Sequence, residues 1–167
     1  LLAQADEGNR VLKIESVSIH DLLRDLVEAF SMVAEQKAIT LLYHEHDTRP
    51  VQGDPIKLRR LFSNLIDNAL KYTPGGGTVV LDLTEDDEHI TISVQDTGIG
   101  ISPNELPYIF DRFYRVDKSR SRESGGTGLG LSICQWIARA HHGTMHVTSQ
   151  LGLGTTVTAV LPVTLQE

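Results

Sequence analysis

Cysteine occurs once in the 167 residues, at Cys134, so no internal disulfide can form and the chain fits a reducing compartment. No apolar run approaches the roughly 20 residues of a membrane helix. Cationic excess is missing too: a net charge of -7 argues against nonspecific nucleic-acid binding, which needs a basic surface to displace counterions. The start, Leu1-Leu-Ala-Gln-Ala-Asp-Glu7, has no initiating Met, no basic lead and no long apolar centre. It does not read as a signal peptide and suggests a piece of a longer protein. No internal repeat is visible.

What is present is enough apolar content, 40%, for one sizeable core but scarcely two, so a single domain is expected. Residues 1–10 read as the end of a helix begun upstream, and Val11 to Ile19 as extended. Leu22, Leu23, Leu26, Val27, Phe30 and Val33 recur at helical spacing up to about Lys37, with Ser18 or Asp21 near the cap. Strands are expected at about Thr40 to His44 and at Val51-Gln52. Thr78 to Thr84 and Ile90 to Gln95 alternate around an acidic turn and predict a hairpin. A last helix should run from Leu129 to about His141, with Leu129, Ile133, Trp136, Ile137 and Ala140 on one face and Gly143 as its stop. Met145 to Ser149 and Thr155 to Pro162 follow as strands. Three helices and several strands without strict βαβ alternation favour a two-layer α/β sandwich.

The segment from Leu58 to Thr73 organises the rest. Leu58, Leu61, Phe62, Leu65 and Ala69 form the stripe that must be buried, while Asn64, Asn68 and Lys71 stand together on the flank. Asp54 suits the N-cap and Pro55 the first helical position; Pro74 and Gly75-Gly-Gly77 end the run. Amide oxygens are hard, neutral ligands for magnesium, and a lysine one turn on could meet phosphates that such an ion bridges. A solvated polar face is the competing reading of this helix alone.

Two glycine-bent stretches follow. In Asp96-Thr-Gly98-Ile-Gly100-Ile101-Ser, the glycines allow a sharp turn and close approach to a ligand, and a strand-end aspartate can accept a hydrogen bond. Such an acceptor favours adenine, whose exocyclic amine donates, over guanine. A plain tight turn is the alternative; a calcium loop is excluded, because Gly98 stands where Asp or Asn would be required. Gly125-Gly126-Thr127-Gly128-Leu129-Gly130-Leu131 opens a helix, where free N–H groups and the positive dipole end favour phosphate. Neither the dinucleotide pattern nor the Walker lysine is present. Between them lies a cationic stretch with Arg112, Arg115, Lys118, Arg120 and Arg122, either a loop that meets a small anion or a solvated charge run.

Taken in order, Asn64-Leu-x-x-Asn68-Ala-x-Lys71-Tyr72-Thr73, Asp96-x-Gly98-x-Gly100-Ile101, Phe110-Asp-Arg-Phe113-Tyr-Arg115, Gly126-Thr-Gly128-Leu-Gly130-Leu and Gly152-x-Gly154-Thr155 closely resemble the catalytic ATP-binding domain of bacterial sensor histidine kinases. That family is the kinase branch of the gyrase, heat-shock-protein and MutL ATPase superfamily. The resemblance implies the Bergerat fold, a mixed, mainly antiparallel sheet covered by three helices, with residues 11–167 as the catalytic domain and 1–10 as the tail of a dimerisation helix. By the same resemblance, ATP and Mg2+ are the cofactors. Asn68 is the magnesium ligand with Asn64 beside it, and Lys71 and Tyr72 contact nucleotide. Asp96 reads the adenine amine in a pocket shaped by Gly98, Gly100 and Ile101. Phe110 and Phe113 anchor an ATP lid, and Arg115 reaches phosphate. Gly126, Thr127, Gly128, Leu129, Gly130 and Leu131 make the hinge and phosphate turn; Thr155 closes the pocket.

Asn64 bears on the reaction class. In the resembled branches that hydrolyse ATP or phosphorylate serine, a glutamate acting as general base occupies this place. An amide cannot take that proton, and base catalysis customarily supplies roughly 10²–10⁴-fold. A neutral imidazole is itself nucleophilic, so phosphoryl transfer to histidine with negligible ATP hydrolysis is expected, with Asn64, Lys71 and Arg115 as the catalytic set. A nucleotide-sensing interaction module of the same fold, without kinase activity, is the alternative. The acceptor histidine is not evident: His20-Asp21-Leu-Leu-Arg24 lacks the proline of the resembled signature. His44 and His46 would share a strand face, and His141 and His142 sit at a helix end that favours a cation. Expected partners are ATP or ADP, the histidine-bearing dimerisation domain of a homodimeric parent and a response-regulator receiver domain. The piece itself is expected to be monomeric and cytoplasmic, and the sequence leaves open whether its parent is anchored in a membrane. Residues 117–125, rich in Gly, Ser and Arg, are expected to be poorly ordered without nucleotide.

Overall fold

A computed structural model describes residues 11–112, 114 and 130–164. Strand β1 (Glu15–Val17) precedes helix α1 (Ile19–Gln36), followed by β2 (Thr40–His44), β3 (Val51–Gly53) and helix α2 (Pro55–Tyr72). Strands β4 (Thr78–Glu85) and β5 (His89–Asp96), a short 3-10 turn at Leu106–Tyr108, helix α3 (Gly130–Ala140), β6 (Thr144–Gln150) and β7 (Gly154–Pro162) complete the described elements.

The main sheet has the order β2-β4-β5-β7-β6, parallel only between β2 and β4. β1 and β3 pair separately, antiparallel, with Val17 opposite Val51. Alternation decides which face is covered. Val79, Leu81 and Leu83 of β4, Ile90, Ile92 and Val94 of β5, and Ala159 and Leu161 of β7 are buried against the helices. Their neighbours Asp82, Ser93 and Thr158 share one rung of the opposite face. The helices contribute Leu23 and Leu26 from α1, Leu58, Leu61, Phe62, Leu65, Ile66 and Leu70 from α2, and Ile137 and Ala138 from α3. Each large apolar side chain among them adds about 1.5–3 kcal/mol by burial.

Helix ends follow their caps. Ser18, not Asp21, caps α1: its side chain accepts from the Asp21 amide at 3.2 Å. Asp54 accepts from the Ile56 and Lys57 amides, and Pro55 occupies the first helical position, as expected. Two predicted stripes are rotated. In α1 the inward residue of the last turn is Ala34, while Val33 is 41% exposed. In α3 the buried residues are Cys134, Ile137 and Ala138, not Ala140, because this helix packs against α2 as well as the sheet. Gly143 stops α3 in an unexpected way. The left-handed residue is His142, at φ 59°, while the Gly143 amide closes the cap onto the Ala138 carbonyl at 2.8 Å. Glycine is needed there for space, since a Cβ would lie 2.4 Å from the Val160 carbonyl oxygen.

Candidate functional site

The site is assembled along the second half of α2, which meets a loop corner at its end and α3 along its side. The corner begins where β5 stops. Oδ1 of Asp96 accepts from the Gly98 amide at 2.9 Å and the Thr155 amide at 3.2 Å. Burial pushes the Asp96 carboxyl above its ordinary range, against the pull of those two donors. The Ile99 amide then donates to the Tyr72 carbonyl at 3.1 Å, fastening the loop to the last residue of α2. Only glycine fits before it: a Cβ on Gly98 would stand 2.4 Å from that same carbonyl oxygen.

Gly100, at φ +72°, passes so close to β6 that a Cβ would stand 2.2 Å from the Gln150 carbonyl oxygen. Two residues that carry no sequence signal complete the corner. Thr97 accepts from the Thr78 amide at 2.9 Å, and Ser149 accepts from the Ile101 amide at 2.7 Å while donating to the Gly154 carbonyl at 3.0 Å. With the Ser149 proton so used, Thr155 Oγ1 donates to Ser149 Oγ at 2.8 Å. Nothing in the local sequence marks Ser149; its role depends on the β6–β7 register, which sets it opposite Thr155.

Alongside α2, Asn68 faces the first residue of α3: a Cβ on Gly130 would lie 3.5 Å from Asn68 Nδ2 and 3.8 Å from its Oδ1. One turn back stands Asn64, and across from that stretch of α2 the Sγ of Cys134 donates to the Leu61 carbonyl at 3.5 Å. Burial pushes this thiol up to about 12. Asn64, Asn68, Lys71 and Tyr72 are all half-buried, so their polar ends reach the rim of the core. Lys71 pairs with Asp67 at 3.0 Å, an i,i+4 contact within α2. Phe110 and Leu131 are partly buried against the core, and Ile109, next to Phe110 in the chain, is buried. Phe113, Arg115, Gly126, Thr127, Gly128 and Leu129 lie outside the described residues, as do 1–10 and 117–125.

The histidines depart from what the sequence predicts. His141 is fully buried, not an exposed helix-end cation. Its Nε2 accepts from the Asp54 amide at 3.0 Å, so the proton sits on Nδ1, which donates to the Ile137 carbonyl at 2.8 Å. Burial pushes its pKa down, favouring this neutral form. Beside it, burial acts to raise the Asp54 carboxyl, but the Lys13, Lys57 and Ile56 amides outweigh it and hold the group below its usual range. β2 ends at His44, so His44 and His46 do not share a strand face; His44 pairs with Asp82 at 3.0 Å.

No group of three or more His, Cys, Asp or Glu suited to a metal occurs among the described residues. The donor set at α2 is two neutral carboxamides, which suits a hard cation carried in with its own anionic ligand rather than one caged by protein alone. No helix among the described residues is long and apolar enough to cross a membrane.

Comparison with known proteins agrees with this geometry. Residues 53–165 match the family model described as histidine kinase-, DNA gyrase B-, and HSP90-like ATPase. The chain is 40% identical to the sensor histidine kinase CusS of Escherichia coli K12 over 161 residues, 96% of this chain and 33% of that protein. It is 45% identical to the sensor histidine kinase RppB of Synechocystis over 146 residues, 87% of this chain and 32% of that one. It thus spans about a third of the length of these relatives. Among solved structures, full-length ShkA in complex with AMPPNP superposes with a TM-score of 0.80 at 30% identity, covering 93% of this chain and 32% of that one. The catalytic domain of the histidine kinase ThkA superposes with a TM-score of 0.79 at 23% identity, covering 91% and 99%. The latter shows the fold, the Bergerat arrangement expected above. By its model match and its architecture, the chain belongs to the histidine kinase-, DNA gyrase B- and HSP90-like ATPase family.

Proposed function

We propose that this chain binds ATP with magnesium and transfers the γ-phosphoryl group to a histidine on a dimerisation domain of its parent protein, which passes it to a response-regulator receiver domain. One observation carries the reading: α2 joins the Asp96 corner, through Tyr72 and Ile99, to the start of α3, through Asn68 and Gly130. An adenine acceptor and a phosphate-favouring helix start are thereby set along one rigid element. The kinases named above, and the AMPPNP bound by ShkA, support it.

In this reading Asp96 takes the adenine amine with the carboxylate oxygen that the Gly98 and Thr155 amides leave over, while those amides hold its orientation. Thr155, Gly100 and Ile101 wall the base. Asn68, with Asn64 beside it, would hold magnesium, which when bound neutralises charge on the phosphate oxygens. Lys71 exchanges Asp67 for phosphate. Asn64 orients but takes no proton, which suits an imidazole nucleophile. Its nitrogen forms the new N–P bond, the bond to the bridging oxygen breaks, ADP leaves, and the ring proton passes to solvent.

Calorimetry with Mg-ATP is the test. The unsubstituted chain should bind, and Asp96→Asn should weaken binding by about 100-fold or more, since its NH2 would face the adenine amine, donor against donor. Asn68→Ala should abolish the magnesium dependence. Added to a correctly paired histidine-bearing domain, the chain should label that domain from ATP; no labelling would refute the kinase reading while leaving nucleotide binding intact.

A further inference from the structure

We propose that Ser149 is a positioning residue for nucleobase specificity: its hydroxyl takes the proton of Thr155, so that Thr155 meets the base only as an acceptor. The inference deepens the reading of Asp96 and Thr155 given above and rests on it. Strand pairing carries the first step. Asp96 stands opposite Val79 and Thr155, and Thr155 stands opposite Ser149. Residues paired across a sheet project from the same face, so Asp96, Thr155 and Ser149 lie on the side of the buried Val79, the face that the helices cover. All three are half-buried there.

The direction of each hydrogen bond carries the second. Ser149 Oγ has one proton and two lone pairs. The Gly154 carbonyl, 3.0 Å away, can only accept, and the Ile101 amide, 2.7 Å away, can only donate. One lone pair remains, and Thr155 Oγ1, at 2.8 Å, gives its proton to it. The serine hydroxyl is then fully used, and the threonine hydroxyl keeps lone pairs alone. Asp96 likewise keeps one oxygen beyond the reach of the Gly98 and Thr155 amides. The rung therefore shows a nucleotide two acceptors and no side-chain donor. Facing side chains on neighbouring strands lie about 5 Å apart at their Cβ atoms, and two acceptors that share one planar NH2 group at ordinary bond lengths are also about 5 Å apart. An exocyclic amine satisfies both, whereas a carbonyl oxygen in its place confronts lone pairs twice. Ser149 acts through the Thr155 proton and not by touching the base.

The experiment titrates the whole chain, with magnesium present, against ATP and against inosine triphosphate, whose base carries a carbonyl where adenine carries its amine. In Ser149→Ala the Thr155 hydroxyl is free to turn its proton toward that carbonyl, so the preference for ATP over inosine triphosphate should fall about five- to tenfold. Thr155→Val removes the hydroxyl while keeping the bulk, and adding Ser149→Ala to it should leave the preference of Thr155→Val unchanged. Each preference is a ratio measured on one protein, so a lower folded fraction weakens both nucleotides alike and does not imitate the effect. An unchanged ratio in Ser149→Ala, with both nucleotides weakened equally, would make Ser149 a brace for the Ile101 loop and overturn the proposal. A drop of the same size in the Thr155→Val background would overturn it too. If the unsubstituted chain bound neither nucleotide, the functional reading itself would fall, and this inference with it.

Discussion

The Asp96 corner and the α2–α3 interface lie at neighbouring ends of the same site but are built from different material. The corner is closed by main chain: amides of Gly98, Thr155, Ile99 and Gly152 find carboxylate or carbonyl acceptors between 2.7 and 3.2 Å. Gly98, Gly100 and Gly154 are fixed by carbonyl oxygens that leave no room for a Cβ. The interface is closed by side chains, Cys134 on the Leu61 carbonyl and His141 on the Asp54 amide. Backbone closure tolerates almost no change of residue; side-chain closure can be tuned one group at a time.

The largest effect should come from breaking the corner. Gly154, at φ +135°, would place a Cβ 2.0 Å from the Asp96 carbonyl oxygen. Gly154→Ala combines backbone strain of about 1–3 kcal/mol with overpacking of similar size, so urea denaturation should show a loss of several kcal/mol, a large share of the about 5–15 kcal/mol of a native domain. An alanine variant as stable as the parent would show that the corner is not backbone-limited.

Acid should act on the interface first. The folded pKa of His141 lies below its ordinary 6.5. Above about 6.5 the ring is neutral in both folded and unfolded chains. As pH falls from there through the lowered folded value, the unfolded chain binds the proton first, so the folded state loses stability over that window. His141→Gln, with an amide oxygen for the Asp54 N–H, should flatten this decline in melting temperature. A decline of the same size in the variant would place the acid sensitivity elsewhere.

The smallest effect tests a position outside both regions. His142 holds φ 59° without being glycine, and His142→Gly should stabilise the chain by about 0.5–1 kcal/mol, read as a rise in melting temperature. A fall would mean that the imidazole does something the left-handed turn does not require.

The corner and the interface also differ in how plainly the sequence announces them. Asp54, Pro55, the asparagine flank and the Asp96 to Gly100 turn are legible because their signals are local: a cap, a fixed φ, a helical period, a pair of glycines. The β4–β5 hairpin follows from alternation around the acidic turn. The β1–β3 pairing is not legible, since two short extended stretches separated by α1 do not name each other. Nor is His141, which a helix-end dipole argument treats as a cation. Its partner lies 87 residues away, and burial decides its charge. Cys134 signals in sequence only the absence of a disulfide, because which residue it touches depends on how α3 rolls against α2.

The Asp96 carboxylate spends one oxygen on two amides of its own chain. Its orientation is therefore settled when the sheet and the turn form, and the conformational entropy of this corner is lost in folding rather than in any later encounter. Whatever meets the remaining oxygen finds a fixed acceptor, and the free energy of that contact goes undiminished into recognition.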